Sequence, residues 1–300
     1  VRILVLRALG LGDLLTAVPA LRGLRTAFPR SEITLAAPEW LADVVARIDA
    51  VDRFLPTPEL APIDFQRPDL AVNLHGPGPQ SVERLLATEP RKLITYTRQG
   101  YSDERVIATE WPAERHEVLR WCDLLQGRGI RCDPDDFRLT PAGPRTERVV
   151  VHPGASTGAR RWPAERYAAV VRALGPRAVV TAGPGEHDLA RQVGPAVVSG
   201  TLAELLDLVA TARLVICGDT GVAHVATAYR TPSVLLFGPV PPRLWGPRRG
   251  PHQVLWHGET GDTFADEPDP GLLRITVGEV LDAAGGALCE SVSSARDTSV

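Results

Sequence analysis

Short apolar runs and helix-patterned segments alternate along this chain, and the alternation occurs twice. Residues 3–6 form an apolar run, followed by the turn Gly10-Leu11-Gly12-Asp13 and a helical stretch over 14–27 carrying Leu14, Val18 and Leu21. Pro19 lies inside that stretch and is expected to kink or break it. Residues 33–37 read as a second strand, 40–48 as a helix and 70–74 as a third strand that runs into His75-Gly76. The second half repeats the logic. A strand over 149–151 leads into a helix over 163–174, and a strand over 178–181 into the turn Gly183-Pro184-Gly185. Thr201 with Glu204 opens a helix over 202–211, and strands over 214–217 and 233–237 flank a helix over 221–229. Thr276 with Glu279 opens a terminal helix to about residue 284. Parallel strands need long crossovers, and helices supply them, so this pattern predicts an α/β chain with parallel sheets covered on both faces. The Pro-, Asp-, Gly- and Arg-rich stretch 134–148 lacks periodicity and reads as the linker between the halves. The expected organisation is a first unit over 1–140, a second over 148–285, and a disordered tail over 286–300, where the chain is Ser-rich and apolar-poor.

Composition removes several function classes. A net charge of −3 gives no basic field for nucleic acid. No apolar run approaches the roughly 20 residues of a membrane helix. The N-terminal run is short, has no small-residue cleavage site after it, and reads as a buried strand rather than a signal peptide. Cys122, Cys132, Cys217 and Cys289 lack metal-ligand spacing and are too few for a disulfide framework, so they are expected to be reduced thiols in a cytoplasmic protein. Methionine is absent and Lys92 is the single lysine beside abundant arginine, which suggests a GC-rich gene with Val1 as a literally translated GTG start.

Three segments carry candidate chemistry. Gly218-Asp219-Thr220-Gly221, with His224 one turn on, joins a buried strand to a helix. Asp219 or Thr220 can cap that helix, and a helix N-terminus at the carboxyl end of a parallel strand suits an anion. The alternative is a capped helix that binds nothing. Pro153-Gly154-Ala155-Ser156-Thr157-Gly158-Ala159-Arg160-Arg161-Trp162-Pro163 is a second glycine-rich loop, and its arginines offer planar forks to phosphate oxygens. The alternative is a solvated loop anchored by Trp162. Gly10-Leu11-Gly12-Asp13 invites a dinucleotide reading, but Leu15 stands where the third glycine is needed. Asp13 suits a general base or a hydroxyl ligand, or it caps the helix. His75 at another strand end is a structural residue or a contact at the rim of the site. Glu186, or Asp188 beyond it, reads as a ribose ligand or as an ordinary acid at a helix start.

Taken together, these segments resemble glycosyltransferase family nine, the bacterial heptosyltransferases, across nearly the whole chain and in order. The resemblance rests on Arg7-Ala8-Leu9-Gly10-Leu11-Gly12-Asp13 running to Pro19-Ala20-Leu21, on Arg160-Arg161-Trp162-Pro163, on Gly218-Asp219-Thr220-Gly221 with His224, and on Phe237-Gly238-Pro239 running to Trp245-Gly246-Pro247. It implies a GT-B fold, with two Rossmann-like domains whose parallel sheets face each other across a cleft. It implies ADP-heptose as co-substrate, no cofactor, no metal, and inversion at the anomeric carbon. By the same resemblance Asp13 is the general base. Ser156, Arg160, Glu186, Asp219, Thr220, Gly221 and His224 bind the donor, and Gly12, His75 and Gln80 lie toward the acceptor. The family commonly has lysine where this chain has Arg160. The acceptor is a hydroxyl of a glycan, such as a lipopolysaccharide precursor, or of a small metabolite. The partners are then donor and acceptor alone. The chain is expected to be a monomer without nucleic acid, and membrane contact would follow only from a lipid-linked acceptor. The competing readings are an NAD-dependent oxidoreductase, which the incomplete glycine fingerprint disfavours, and a nucleotide-sugar-binding module without turnover.

Overall fold

The computed structural model describes residues 1–141 and 143–296. The chain divides into two compact units, Val1–Phe137 and Arg138–Val300. In the first, β1 (Arg2–Leu6) leads to α1 (Leu11–Ala27), β2 (Glu32–Ala37), α2 (Ala42–Val45), β3 (Arg53–Pro56) and β4 (Leu70–Asn73). Next come α3 (Pro79–Leu86), β5 (Leu93–Thr97), β6 (Val106–Glu110) and α4 (Glu117–Gln126). The sheet order is β3-β2-β1-β4-β5-β6, and every pairing is parallel.

The second unit begins with β7 (Val149–His152), α5 (Ala164–Leu174), β8 (Ala178–Thr181), α6 (His187–Val193), β9 (Val197–Val198) and α7 (Leu202–Thr211). It continues with β10 (Leu214–Gly218), α8 (Gly221–Ala228), β11 (Ser233–Phe237), α9 (Pro242–Trp245), β12 (His252–Trp256), α10 (Pro270–Arg274) and α11 (Val277–Arg296). Its sheet order is β12-β11-β10-β7-β8-β9, again with every pairing parallel. Counted from the first strand of its own unit and read from the β9 edge, that order is 3-2-1-4-5-6, as in the first unit. In such a sheet the chain reverses its winding direction between strands 1 and 4. The crevice outside their carboxyl ends is where ligands bind. Those strands are β1 and β4 in one unit, and β7 and β10 in the other.

Parallel strands covered on both faces read as unbroken apolar runs. Ile3, Leu4, Val5 and Leu6 of β1 are all essentially inaccessible to solvent, as are Leu214, Val215, Ile216 and Cys217 of β10. Each fully buried aliphatic side chain of this kind contributes about 1.5–3 kcal/mol.

Several expectations meet a different structure. Helix α1 begins at Leu11, three residues before the expected 14, because Gly10 is its N-cap. It runs unbroken through Pro19. Most of the stretch expected as linker packs on the second unit: the Leu139 N–H donates to Ala228 O at 3.0 Å, and Arg145 donates to Ala212 O and Arg230 O. The tail expected to be disordered from residue 286 is helical in α11 as far as Arg296. The helix persists because Ala284, Ala287 and Leu288 pack on the core of the second unit. The rest of that expected tail, 297–300, lies outside the described residues. Among the described residues no helix is long and apolar enough to cross a membrane.

Candidate active site

In the second unit, two loops meet at the switch point. The loop after β10 turns directly into α8, with Thr220 as N-cap accepting from the Val222 N–H at 3.1 Å. The first turn of α8 therefore presents the Gly221 N–H at the end of the sheet, while the Val222 and Ala223 N–H groups bond Thr220. Asp219 is buried beside it, and Arg160 from the loop after β7 reaches it, Nη1 to Oδ2 at 3.5 Å. Burial pushes the Asp219 carboxyl up, and the Arg160 charge pulls it back. Among the described residues the Arg160 Nε, which is buried, has no hydrogen-bond partner. A buried donor without an acceptor is costly, and an incoming anion would satisfy it. His224 lies one turn into α8 and packs edge-on against Trp245, ring centroids 5.8 Å apart.

The loop after β7 is held from both sides. Arg161 donates Nε and Nη2 to Ala155 O at 3.1 and 3.0 Å, so it braces the loop. Trp162 is buried and donates Nε1 to Ile275 O at 3.1 Å. The Thr157 hydroxyl donates to Thr263 O at 2.7 Å, and the Ala159 N–H to Ala265 O at 2.9 Å. Ser156 is exposed on this loop.

Glu186 stands at the carboxyl end of β8, beside β7. Its Oε2 accepts from the Gly183 N–H at 2.8 Å and lies 3.9 Å from Nε2 of buried His152. The carboxylate occupies the space that a side chain at Gly154 would fill, so a larger residue there would displace it. The other ring nitrogen of His152 pairs with the Thr181 hydroxyl at 3.0 Å. Burial lowers the His152 pKa, and Glu186 opposes the shift. Asp188 points away: its side chain is 90% exposed and pairs with Arg191.

In the first unit, the switch point carries Asp13 and His75. Asp13 Oδ2 accepts from the Gly10 N–H at 3.2 Å, and Oδ1 lies 3.4 Å from Arg7 Nη2. Its side chain keeps 31% of its surface in solvent. His75 is half-buried, and its buried Nδ1 has no hydrogen-bond partner among the described residues. Burial, then the Arg7 charge, lower its pKa to about 4 against the pull of Asp13, so the ring is neutral at pH 7. Gly12 is half-buried on the first turn of α1, and Gln80 is exposed on the first turn of α3.

Sequence reasoning missed the support of this corner. Arg7 is buried at the end of β1, with its guanidinium 4.7 Å from the Trp121 ring centre. It donates Nε to Asp13 O at 2.9 Å and Nη2 to Glu117 Oε1 at 3.0 Å, and Nη1 bonds Leu74 O. Glu117, Arg120 and Trp121 lie at i, i+3 and i+4 on one face of α4, the spacing that could have exposed them as a cluster. His152 was missed as well; its signal is a polar residue closing an apolar strand. Among the described residues no group of three or more His, Cys, Asp or Glu side chains is arranged to hold a metal. All four cysteines are free thiols.

Residues 130–266 match the sequence model of "Glycosyltransferase family 9 (heptosyltransferase)". Lipopolysaccharide heptosyltransferase 2 of Salmonella typhimurium is 24% identical to this chain, over 96% of the chain and 99% of the relative. Two solved structures share the fold. A family 9 glycosyl transferase from Veillonella parvula has a TM-score of 0.79 at 23% identity, covering 96% of this chain and 97% of its own. The E. coli ADP-heptose lps heptosyltransferase II has a TM-score of 0.78 at 20% identity, covering 97% and 99%. Two doubly wound units with these loops and these relatives define a glycosyltransferase. More narrowly, residues 130–266 match glycosyltransferase family 9, and nearly the whole chain is similar to a lipopolysaccharide heptosyltransferase.

Proposed function

We propose that this glycosyltransferase moves a heptose from ADP-heptose to a hydroxyl of a glycan acceptor, with inversion and without a metal ion. The observation that carries the reading is the anion site at the second switch point. There the N-terminus of α8 and a buried Arg160 Nε without a partner converge. The ADP-heptose and lipopolysaccharide in the names of the relatives support the donor and a glycan acceptor. Arg160, Ser156 and the α8 start with Thr220 and Gly221 would bind the diphosphate. Asp219 and His224 would lie near the donor phosphate or sugar. Glu186 would bind the ribose hydroxyls, a choice over Asp188 that its inward carboxylate supports.

The reaction is a single displacement. The acceptor hydroxyl attacks the anomeric carbon on the face opposite ADP and gives its proton to Asp13. The bond from that carbon to the phosphate oxygen breaks, and its electron pair leaves with the diphosphate. Arg160 and the Thr220 and Gly221 amides would stabilise that charge as it forms. Gly12, His75 and Gln80 would line the acceptor side.

Asp13→Asn tests the assignment. A positioned base contributes about 10²–10⁴-fold, so turnover should fall by that factor while ADP affinity, measured by calorimetry, stays the same. Near-normal turnover would reduce Asp13 to a helix-start residue. The same transfer assay in excess EDTA should keep its rate; loss of activity restored by a divalent ion would refute metal independence.

A further inference from the structure

The first unit holds a buried chain of charges that ends at Asp13. Arg120 bonds Glu117 Oε2, Glu117 Oε1 accepts from Arg7 Nη2 at 3.0 Å, and that same Nη2 lies 3.4 Å from Asp13 Oδ1. Glu117 Oε1 also takes the Trp121 indole N–H at 2.8 Å, so the carboxylate is fixed from three sides. Arg120 is anchored in turn by the carbonyls of Ala113 and Arg115 at 3.1 and 3.0 Å and stacks over Trp111 at 4.2 Å. All three charged partners behind Asp13 are buried. Burial lowers the Arg7 pKa to about 10, which leaves its positive charge in place at neutral pH.

Two carboxylates therefore compete for one nitrogen. Charge-assisted N–H···O bonds run at about 2.7–2.9 Å. The guanidinium is close to that distance with Glu117 and well beyond it with Asp13. The rest of the arginine fork is committed to the Leu74 and Asp13 backbone carbonyls, which fixes the peptide carrying Asp13. The outcome is a carboxylate whose backbone is clamped while its Oδ1 is only loosely engaged. A proton acceptor needs both properties.

We propose that Glu117 is a positioning residue for Asp13: it holds the Arg7 guanidinium on the α4 side and keeps it from closing onto the Asp13 carboxylate. Without the Glu117 charge, Asp13 is the one anion among these groups left to the buried Arg7. The guanidinium then shifts to Asp13 and turns the base into a tight ion pair. This rests on the reading of Asp13 as the base.

The test is a double-mutant cycle on the full chain, with transfer kinetics and ADP calorimetry on Glu117→Gln, Asp13→Asn and the double variant. Glu117→Gln keeps an acceptor for Arg7 and Trp121 but removes the charge. Its kcat should fall between about 10- and 100-fold, the cost of a misplaced group, with ADP affinity within twofold of the parent. In the Asp13→Asn background the same change should cost less than twofold. Glu117→Asp, which keeps the charge, should recover part of kcat, and it carries the test if Glu117→Gln does not fold. An equal loss in both backgrounds, or a parallel loss of ADP affinity, overturns the proposal and leaves the base assignment standing. Near-normal turnover of Asp13→Asn removes the base assignment and this proposal together.

Discussion

Arg160 and Arg161 are adjacent, and their forks serve different ends. Both nitrogens of Arg161 that make bonds are spent on Ala155 O, inside its own loop. Arg160 has one long contact with Asp219 and a buried Nε with nothing to bond. Arg160→Ala should therefore lower kcat by about 10²-fold, the usual cost of losing one donor to a developing anion. Arg160→Lys should recover part of it, because an ammonium keeps the charge without the planar fork. Arg161→Ala should lower the melting temperature and raise the donor KM with little change in kcat. Steady-state kinetics and thermal melts on the three variants check this. If Arg161→Ala abolishes turnover and Arg160→Ala does not, the roles are exchanged. At this scale, a residue inside a local motif was legible in part: the sequence left the cap of α8 between Asp219 and Thr220, and Thr220 takes it. The Arg7–Glu117 pair was not, because 110 positions separate its members. Charge alone gave no reason to join a strand-end arginine to a distant helix.

Elements were legible where the signal lies within a few residues. The capping boxes at Thr201 with Glu204 and Thr276 with Glu279 form as read, since both partners sit within one turn. The strands Ala178–Thr181 and Ser233–Phe237 match their apolar runs. The start of α1 was hidden because Gly10 has no side chain to announce a cap. Pro19 does not break α1, because burial along the helix outweighs the one hydrogen bond it removes. The loop after β7 depends on tertiary contact instead. A side chain at Gly158 would collide with the backbone of Asp266, which backs that loop. Gly158→Ala should break the Thr157–Thr263 and Ala159–Ala265 bonds, lower the melting temperature and weaken ADP binding. Gly285 is the contrasting case, exposed within α11 and with open space around a built side chain. Gly285→Ala should stabilise by about 0.5–1 kcal/mol without touching ADP binding. Calorimetry and melts on both variants test whether loop and helix glycines separate in this way.

Across the whole molecule, buried and half-buried histidines link folding to pH. His75 in the first unit and His252 in the second both have pKa values lowered to about 4, chiefly by burial, and His152 is shifted the same way. Unfolded, each would titrate near about 6.5. Between about 4 and 6.5 the unfolded chain therefore binds more protons than the folded one, and stability rises with pH across that window. The contribution is complete above 6.5 and is lost as the pH falls toward 4. Asp103 and Glu279, held at about 2, act at lower pH, whereas Asp219, pushed up by burial, acts in the opposite sense to the histidines, so the histidine share is read from parent and variant compared between pH 7 and 5. His252 is the one to vary, since it stands on β12 away from both switch points and pairs through Nδ1 with the Ser233 hydroxyl at 2.8 Å. His252→Asn offers a comparable polar atom to Ser233 but does not titrate. The parent should lose melting temperature steadily from pH 7 to 5, and His252→Asn should lose less over the same interval. Equal slopes for the two proteins would show that His252 takes up no proton on unfolding, and the burial argument for its neutral form would fall.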